Sequence, residues 1–140
     1  MALIELRPKL VSFRALAFHG EHKAEAAGAD EGTLDLSREI NLGLAVPMVP
    51  GAPLQAVVKI DLRAKPTDPS VMTDSAEFSG VYEARFDYPS DATEEAISPL
   101  FEHEPHQYAL ASQAFPLAMM HFRRELQSMG FDTGSSPLGL

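Results

Sequence analysis

The sequence predicts an α+β domain in which a four-stranded antiparallel sheet, meander-like in order, is followed by a short helix and a long kinked helix packed on one sheet face. Two observations lead to this prediction. Apolar and polar residues alternate with period two in three segments before Pro89, and apolar residues recur every three or four positions after it. Strands followed by helices are typical of an antiparallel sheet covered on one face. We expect residues 1–140 to form a single domain.

The three alternating segments are typical of half-buried strands, with one face on a core and one in water. Their apolar faces are Leu34, Leu36, Ile40, Leu42, Leu44 and Val46, with Arg38 as an exception; Ala56, Val58, Ile60, Leu62 and Ala64; and Phe78, Gly80, Tyr82, Ala84, Phe86 and Tyr88. Short turn-rich connections at 47–53 and 66–70 predict that sequential strands pair. An earlier strand is predicted at Leu10–Phe18, and a mobile loop at Gly20–Gly32.

Two helices are predicted after the last strand. Asp91 or Thr93 can cap a short helix that reaches Leu100. Pro105 suits the first turn of a longer helix, and Pro116 is expected to kink or split that helix.

The longer helix has an apolar stripe that we expect to pack on the sheet, followed by Gly130 as a residue suited to the helix C-terminus and by Phe131 as its apolar contact. The members of the stripe are Tyr108, Ala111, Phe115, Met119, Phe122, Leu126 and Met129. Leu117 and Met120 lie off the stripe, and a helix that is apolar on two sides needs two apolar neighbours. One neighbour is the sheet, and we expect the other to be a second subunit.

Composition excludes several classes of function. Eleven basic and 20 acidic residues give a net charge of −9, which argues against nonspecific nucleic-acid binding. The chain has no cysteine, so disulfides and thiolate sites are impossible and a cytoplasmic location is favoured. No apolar run reaches the roughly 18 residues that a membrane helix needs. Glu5 interrupts the basic region that a signal peptide needs, and Arg14 interrupts its apolar stretch, so no signal peptide is expected.

No catalytic motif is present, and the sequence favours a protein that is not an enzyme and needs no cofactor. The segment Glu102-His103-Glu104-Pro105-His106 has metal-ligand residue types, with His19, His22 and His121 elsewhere, but no fixed-spacing metal motif occurs. A metal-dependent enzyme that uses these histidines stays open as a third hypothesis.

The C-terminal half contains a recognisable run. Gln113 to Leu126 reads QAFPLAMMHFRREL, followed by Met129-Gly130-Phe131 and by Pro137-Leu138-Gly139-Leu140. These residues resemble the SecB export-chaperone family, in which a helix opens with an aromatic-Pro step and a Pro-containing segment follows the helix. The segment Phe78–Phe86 resembles the last strand of that family. The resemblance covers residues 8–140 in layout and 75–140 in recognisable residues.

The resemblance implies a homotetramer, arranged as a dimer of dimers, that holds unfolded polypeptide clients in apolar grooves without a cofactor. It also implies the preprotein translocase motor as a candidate partner. Export members of the family have a further C-terminal helix after the Pro segment, whereas this sequence ends at Leu140. A stand-alone chaperone of the kind that accompanies toxin–antitoxin systems therefore fits as well.

Apolar character and expected position select the candidate polypeptide-binding residues. Met48 and Val49 form an apolar loop tip between prolines, and flexible methionines suit promiscuous binding; the alternative is that they anchor the loop by being buried. The full predicted set is Leu44, Val46, Met48, Val49, Tyr108, Phe115, Met119, Met120 and Phe122. The alternative function is a carrier of a small hydrophobic ligand, with its pocket between the sheet and the kinked helix.

Overall fold

The computed structural model describes residues 7–22, 34–66 and 76–130. Their elements, in chain order, are β1 (Lys9–His22), β2 (Leu34–Ala45), β3 (Gln55–Pro66), β4 (Ala76–Asp87), α1 (Glu94–Ile97), a 3-10 helix (Ser98–Glu102) and α2 (Glu104–Ser128). The predicted α+β class and element order are confirmed. The predicted loop lies outside the described residues except for its first three positions, which belong to β1. The turn at 67–70, Phe131 and the Pro137–Leu140 segment also lie outside them.

The sheet order is β1-β4-β3-β2, and every neighbouring pair is antiparallel. Strands β2, β3 and β4 form the predicted meander. However, β1 pairs with β4 rather than with β2, which gives a Greek-key order instead of a simple meander. Residues 23–33 connect β1 to β2, and a segment of that length can span the roughly 14 Å across three strand spacings. Sequence adjacency therefore does not force these two strands to pair.

The core lies between the inner faces of β3 and β4 and the helix α2. The predicted inner residues of β3 and β4 are 0–2% exposed, which confirms their alternation. On the inner face of β2, the half-buried residues are Leu36, Ile40, Leu42 and Leu44, because β2 is an edge strand. Arg38, the charged exception on that face, lies over the ring of Phe115 with its guanidinium carbon 5.2 Å from the ring centroid. This cation–π contact explains a charge among apolar neighbours.

The register of β1 shifts at two bulges, one between Leu10 and Ser12 and one between Ala15 and Ala17. Each bulge inserts an extra residue into the strand, so the side chains that pair with the inner face of β4 are spaced three, two and three positions apart. This spacing is why period-two alternation identified β1 less clearly than the other strands. The inner residues of β1 are Leu10, Phe13, Ala15 and Phe18.

The short helix begins as predicted and ends early. The Thr93 side chain accepts a hydrogen bond from the backbone N–H of Ala96 at 3.2 Å, which confirms Thr93 as the N-cap. The α-helical hydrogen bonds stop at Ile97, and the chain continues as the 3-10 helix. Pro99 has no N–H for the bond to the carbonyl four residues earlier, which removes one α-helical hydrogen bond where the chain changes to the 3-10 helix.

Helix α2 begins with Pro105 in its first turn, as predicted, and runs through Pro116 without splitting. Its buried face is Leu110, Ala114, Ala118, Met119, Phe122 and Leu126. The predicted stripe is therefore confirmed from Met119 onward, Ala111 and Phe115 are half-buried, and the prediction is wrong at Tyr108, which is exposed. The buried residues follow one another mostly at four-residue steps, and on an ideal helix each such step rotates the buried position by about 40°. A stripe drawn along one fixed face therefore does not match the buried residues over the whole helix. Gly130 follows the helix with a φ of 99°, the conformation expected of a C′ glycine.

None of the helices in the described ranges combines the length and apolar character that crossing a membrane requires.

A charged network ties three strands together on the outer face of the sheet. Glu83 accepts a 3.0 Å ion-pair contact from Arg14 on β1 and a 3.3 Å contact from Arg85 on its own strand. Arg85 also donates to Gln55 on β3 at 3.0 Å, and Gln55 donates to Asp87 at 2.7 Å. Burial raises the pKa of Glu83, but the hydrogen bonds from Arg85 and Arg14 outweigh burial and hold it below its usual value.

We expect Gly80→Ala to destabilise the fold by about 1–3 kcal/mol through overpacking. A Cβ at Gly80 would lie 2.7 Å from the hydroxyl oxygen of Tyr82, a fully buried residue whose hydroxyl is hydrogen-bonded to His121. Gly43→Ala is the matched control, because a Cβ there meets no atom within 4 Å. Urea unfolding of both variants checks this, and equal stabilities would contradict it.

We expect Glu83→Gln to lower the free energy of unfolding at pH 7, and we expect that loss to shrink below about pH 4.5. A carboxyl whose pKa is lowered by folding stabilises the protein above its ordinary pKa of 4.5, and this stabilisation disappears as pH falls through the folded-state pKa. Denaturant unfolding of both chains from pH 7 to pH 3 measures the difference. A deficit that stays constant over this range would show that Glu83 contributes through shape rather than charge.

Candidate functional site

A type II β-turn forms the tip of the loop between β2 and β3. The backbone N–H of Ala52 donates to the carbonyl of Val49 at 3.2 Å, Pro50 fills the second turn position, and Gly51 has a φ of 87°. Proline followed by a residue with positive φ is the combination that this turn type requires. The local sequence therefore fixes the backbone of the loop tip through its turn.

The apolar side chains of this loop point into solvent. Met48 is 97% exposed, Val49 68% and Val46 51%. Leu54, at the end of the loop, is buried and joins the core cluster. The loop is thus anchored at its end and held by its turn, while its tip presents large apolar side chains to water.

The start of α2 lies at the same end of the sheet as this loop. The backbone N–H of Tyr88 donates to the carbonyl of Leu54 at 3.0 Å. The Tyr88 hydroxyl is hydrogen-bonded to Nε2 of His106 at 2.7 Å, and Tyr108, two residues further along α2, is 74% exposed. We call the exposed side chains of this end the apolar rim, defined as Val46, Met48, Val49 and Tyr108.

Other residues predicted for polypeptide binding occupy different environments. Leu44 and Phe115 are half-buried and pack against the core, and Met120 is 53% exposed on the outward side of α2. Met119 and Phe122 are 1% and 0% exposed. These last two side chains fill the space between sheet and helix and belong to the core. Their prediction as polypeptide-binding residues is therefore corrected, because a client cannot contact them in this conformation.

Two exposed apolar side chains were missed by sequence reasoning. Val11 is 46% exposed and Leu16 is 41% exposed, and both are the extra residues of the two bulges in β1. The signal was an excess of apolar residues at 10–18, more than one face of a regular strand can hold. Without knowledge of the bulges, the sequence does not say which of them lie outside.

Two Tyr–His pairs fasten α2 to β4. The Tyr82 hydroxyl is hydrogen-bonded to Nδ1 of His121 at 2.9 Å, and Tyr88 is bonded to His106 as described above. Burial raises the pKa of both tyrosine hydroxyls, which keeps them protonated. The other ring nitrogen of His121 lies 3.6 Å from a carboxylate oxygen of Glu125. Both histidines are therefore held by structural contacts.

The histidines considered as metal ligands do not assemble into a site. Within residues 7–22, 34–66 and 76–130, no group of three or more histidine or acidic side chains is placed to hold a metal ion. The arrangement in these ranges offers an apolar surface at one end of a fixed sheet–helix scaffold.

The described fold is similar to a solved chaperone structure. No family model and no curated protein matches the sequence. Among solved structures, the chain is similar to the SecB-like chaperone Rv1957 of Mycobacterium tuberculosis, in complex with a ChAD peptide from the antitoxin HigA1 (Rv1956). The TM-score is 0.56 at 18% sequence identity, over 90% of this chain and 83% of that chain. The chain therefore has a SecB-like fold.

Proposed function

We propose that this protein is a chaperone of the holdase type, which binds unfolded polypeptide segments through apolar side chains and catalyses no reaction. The main observation in support is the apolar rim, because its side chains are solvent-exposed although its backbone is fixed. Flexible Met48, exposed almost completely, can adapt to clients of different sequence. The net charge of −9 disfavours self-aggregation of a protein that exposes apolar surface.

Two cellular settings fit this proposal. One is preprotein export, with the translocase motor as partner, and the other is the protection of a specific client such as an antitoxin. The similar M. tuberculosis chaperone is bound to an antitoxin peptide, which supports polypeptide clients and favours the second setting. In both settings we place the protein in the cytoplasm. Binding assays with a purified translocase motor and with an antitoxin-derived peptide would separate the two.

We further propose that the protein is a homo-oligomer, a dimer of dimers, in which a second copy covers the outward side of α2. Met120 is exposed there, next to a surface depression that is also lined by Pro116, Arg123, Arg124 and Gln127. An apolar side chain in that position, opposite the face that packs on the sheet, supports a second apolar neighbour for the helix.

We expect the protein to suppress the aggregation of insulin whose disulfides have been reduced by dithiothreitol. The chain has no cysteine, so the reductant leaves it unchanged. The double substitution Met48→Ser and Val49→Ser should weaken suppression about tenfold, because it removes apolar surface that a client would bury. Light scattering at increasing chaperone concentration measures the effect.

Ala52→Ser in the same loop is the matched control and should act like the native chain, since it removes little apolar surface. A double variant as active as this control would exclude the loop from client binding. A native chain that neither suppresses aggregation nor binds reduced insulin would refute the holdase proposal itself.

We expect multi-angle light scattering to give a solution mass near four chains. Met120→Glu should reduce that mass, because a charge buried at a helix–helix contact is costly. Ser37→Glu adds the same charge at an exposed position on the outer face of β2, away from α2, and should leave the mass unchanged. A native chain that elutes as a monomer would contradict the oligomer proposal.

A further inference from the structure

A cavity of about 370 Å³ lies where the residues preceding β1, the 3-10 helix and the first turns of α2 meet. This volume falls within the range of roughly 300–1,000 Å³ that is common for small-molecule sites. The cavity is lined by Arg7, Pro8, Leu100, His103, Pro105, His106 and Ala109. None of the nine residues predicted for polypeptide binding is among them, so this is a different site from the apolar rim.

The side chains of this cavity are either apolar or basic. Arg7, His103 and His106 are the polar groups, and among the described residues no aspartate or glutamate lines the cavity. Glu102 and Glu104 flank His103 in sequence and are exposed. A purely basic lining is contrary to the composition of a chain with net charge −9, and it is complementary to an anion.

His106 is held in place on several sides. Its ring stacks on Tyr88 with the centroids 5.9 Å apart, and it meets Phe101 edge-on at 5.6 Å. The Tyr88 hydroxyl occupies Nε2 at 2.7 Å, which leaves Nδ1 for another partner. The adjacent Gln107 side chain donates to the carbonyl of Phe101 at 2.6 Å. An imidazole fixed in this way is preorganised for a ligand.

We propose that this cavity binds a small apolar anion, of the class of medium-chain carboxylates. Its tail contacts Pro8, Leu100 and Ala109. Its carboxylate is bound by the Arg7 guanidinium and by the imidazoles of His103 and His106. This assignment moves the carrier hypothesis from the sheet–helix interface, where side chains fill the space, to the start of α2. It does not depend on the holdase proposal.

Ligand binding is linked to the protonation of His106. Burial and the neighbouring His103 lower the pKa of His106, and the other groups around its ring are Tyr88, Phe101 and Arg7, none of which is an anion at neutral pH. A bound carboxylate favours the charged imidazole and raises that pKa. By reciprocity, the affinity for the carboxylate rises as pH falls through the raised pKa of the bound state, and it keeps rising until pH falls below the lowered pKa of the free state.

The test is a titration of the full chain with sodium octanoate, followed by two-dimensional NMR of backbone amides and histidine rings. We expect saturable shifts centred on Leu100, His106 and Ala109, and a raised His106 pKa. Octylammonium, with the same tail and the opposite charge, and acetate, with the charge and no tail, should not saturate the site. Equal binding of octylammonium, or octanoate shifts confined to Met48 and Val49, would overturn the proposal.

Arg7→Gln tests the anion contact without risk to the fold, because Arg7 is exposed. We expect an affinity loss of about tenfold for octanoate, as for a lost charge-assisted hydrogen bond. Arg63→Gln is the matched control, with the same charge change on the exposed outer face of β3, and should bind octanoate like the native chain. If both substitutions lowered the octanoate affinity equally, the loss would come from the change in net charge, and the proposed site would be refuted. Thermal unfolding of both variants shows whether the fold is intact, and insulin-aggregation assays show whether holdase activity is intact. A failure of the cavity proposal can therefore be told apart from a failure of the holdase proposal.

Discussion

The packing of α2 across the inner faces of β3 and β4 is the interaction on which the rest of this structure depends. Strands of this sheet alternate apolar and polar residues, so one sheet face is stable only when it is covered. The helix supplies that cover with six buried side chains. The Tyr82–His121 and Tyr88–His106 hydrogen bonds fix its position along β4. Because these polar tips are satisfied, two large aromatic residues can be buried there at little cost.

One helix cannot cover four strands, and this limit determines where apolar surface remains. The large apolar residues on the inner faces of β2 and β1 that the structure describes stay half-buried at the two edges, and the extra residues of the β1 bulges are exposed to solvent. At the end of the sheet, the Pro50-Gly51 turn holds Met48 and Val49 away from the core. The proposed client surface is thus made of apolar side chains that the single helix leaves uncovered.

Two surfaces of different character lie near the start of α2. The apolar rim has no charged member and suits segments of variable sequence, whereas the cavity beside His106 combines an apolar floor with three basic groups and suits one small class of ligand. Tyr88 links them, since it is bonded to Leu54 through its backbone and to His106 through its hydroxyl. A ligand that changes the charge of His106 acts on a residue that also fastens the helix to the sheet.

The sequence by itself determined the fold class, the inner faces of three strands and the helix end at Gly130, and it limited the N-cap of the short helix to Asp91 or Thr93, because these follow from local periodicity and backbone preferences. It also indicated the apolar loop tip, since prolines around Met48 predict a turn, whereas the exposure of Met48 and Val49 came from the structure. Only the tertiary structure decided that β1 pairs with β4, that Tyr108 is exposed while Met119 and Phe122 are core, and that Arg7 and His106 line one cavity. These features depend on strand order, on bulges and on the rotation of the buried face along α2, and such long-range geometry leaves no periodic signal in the chain.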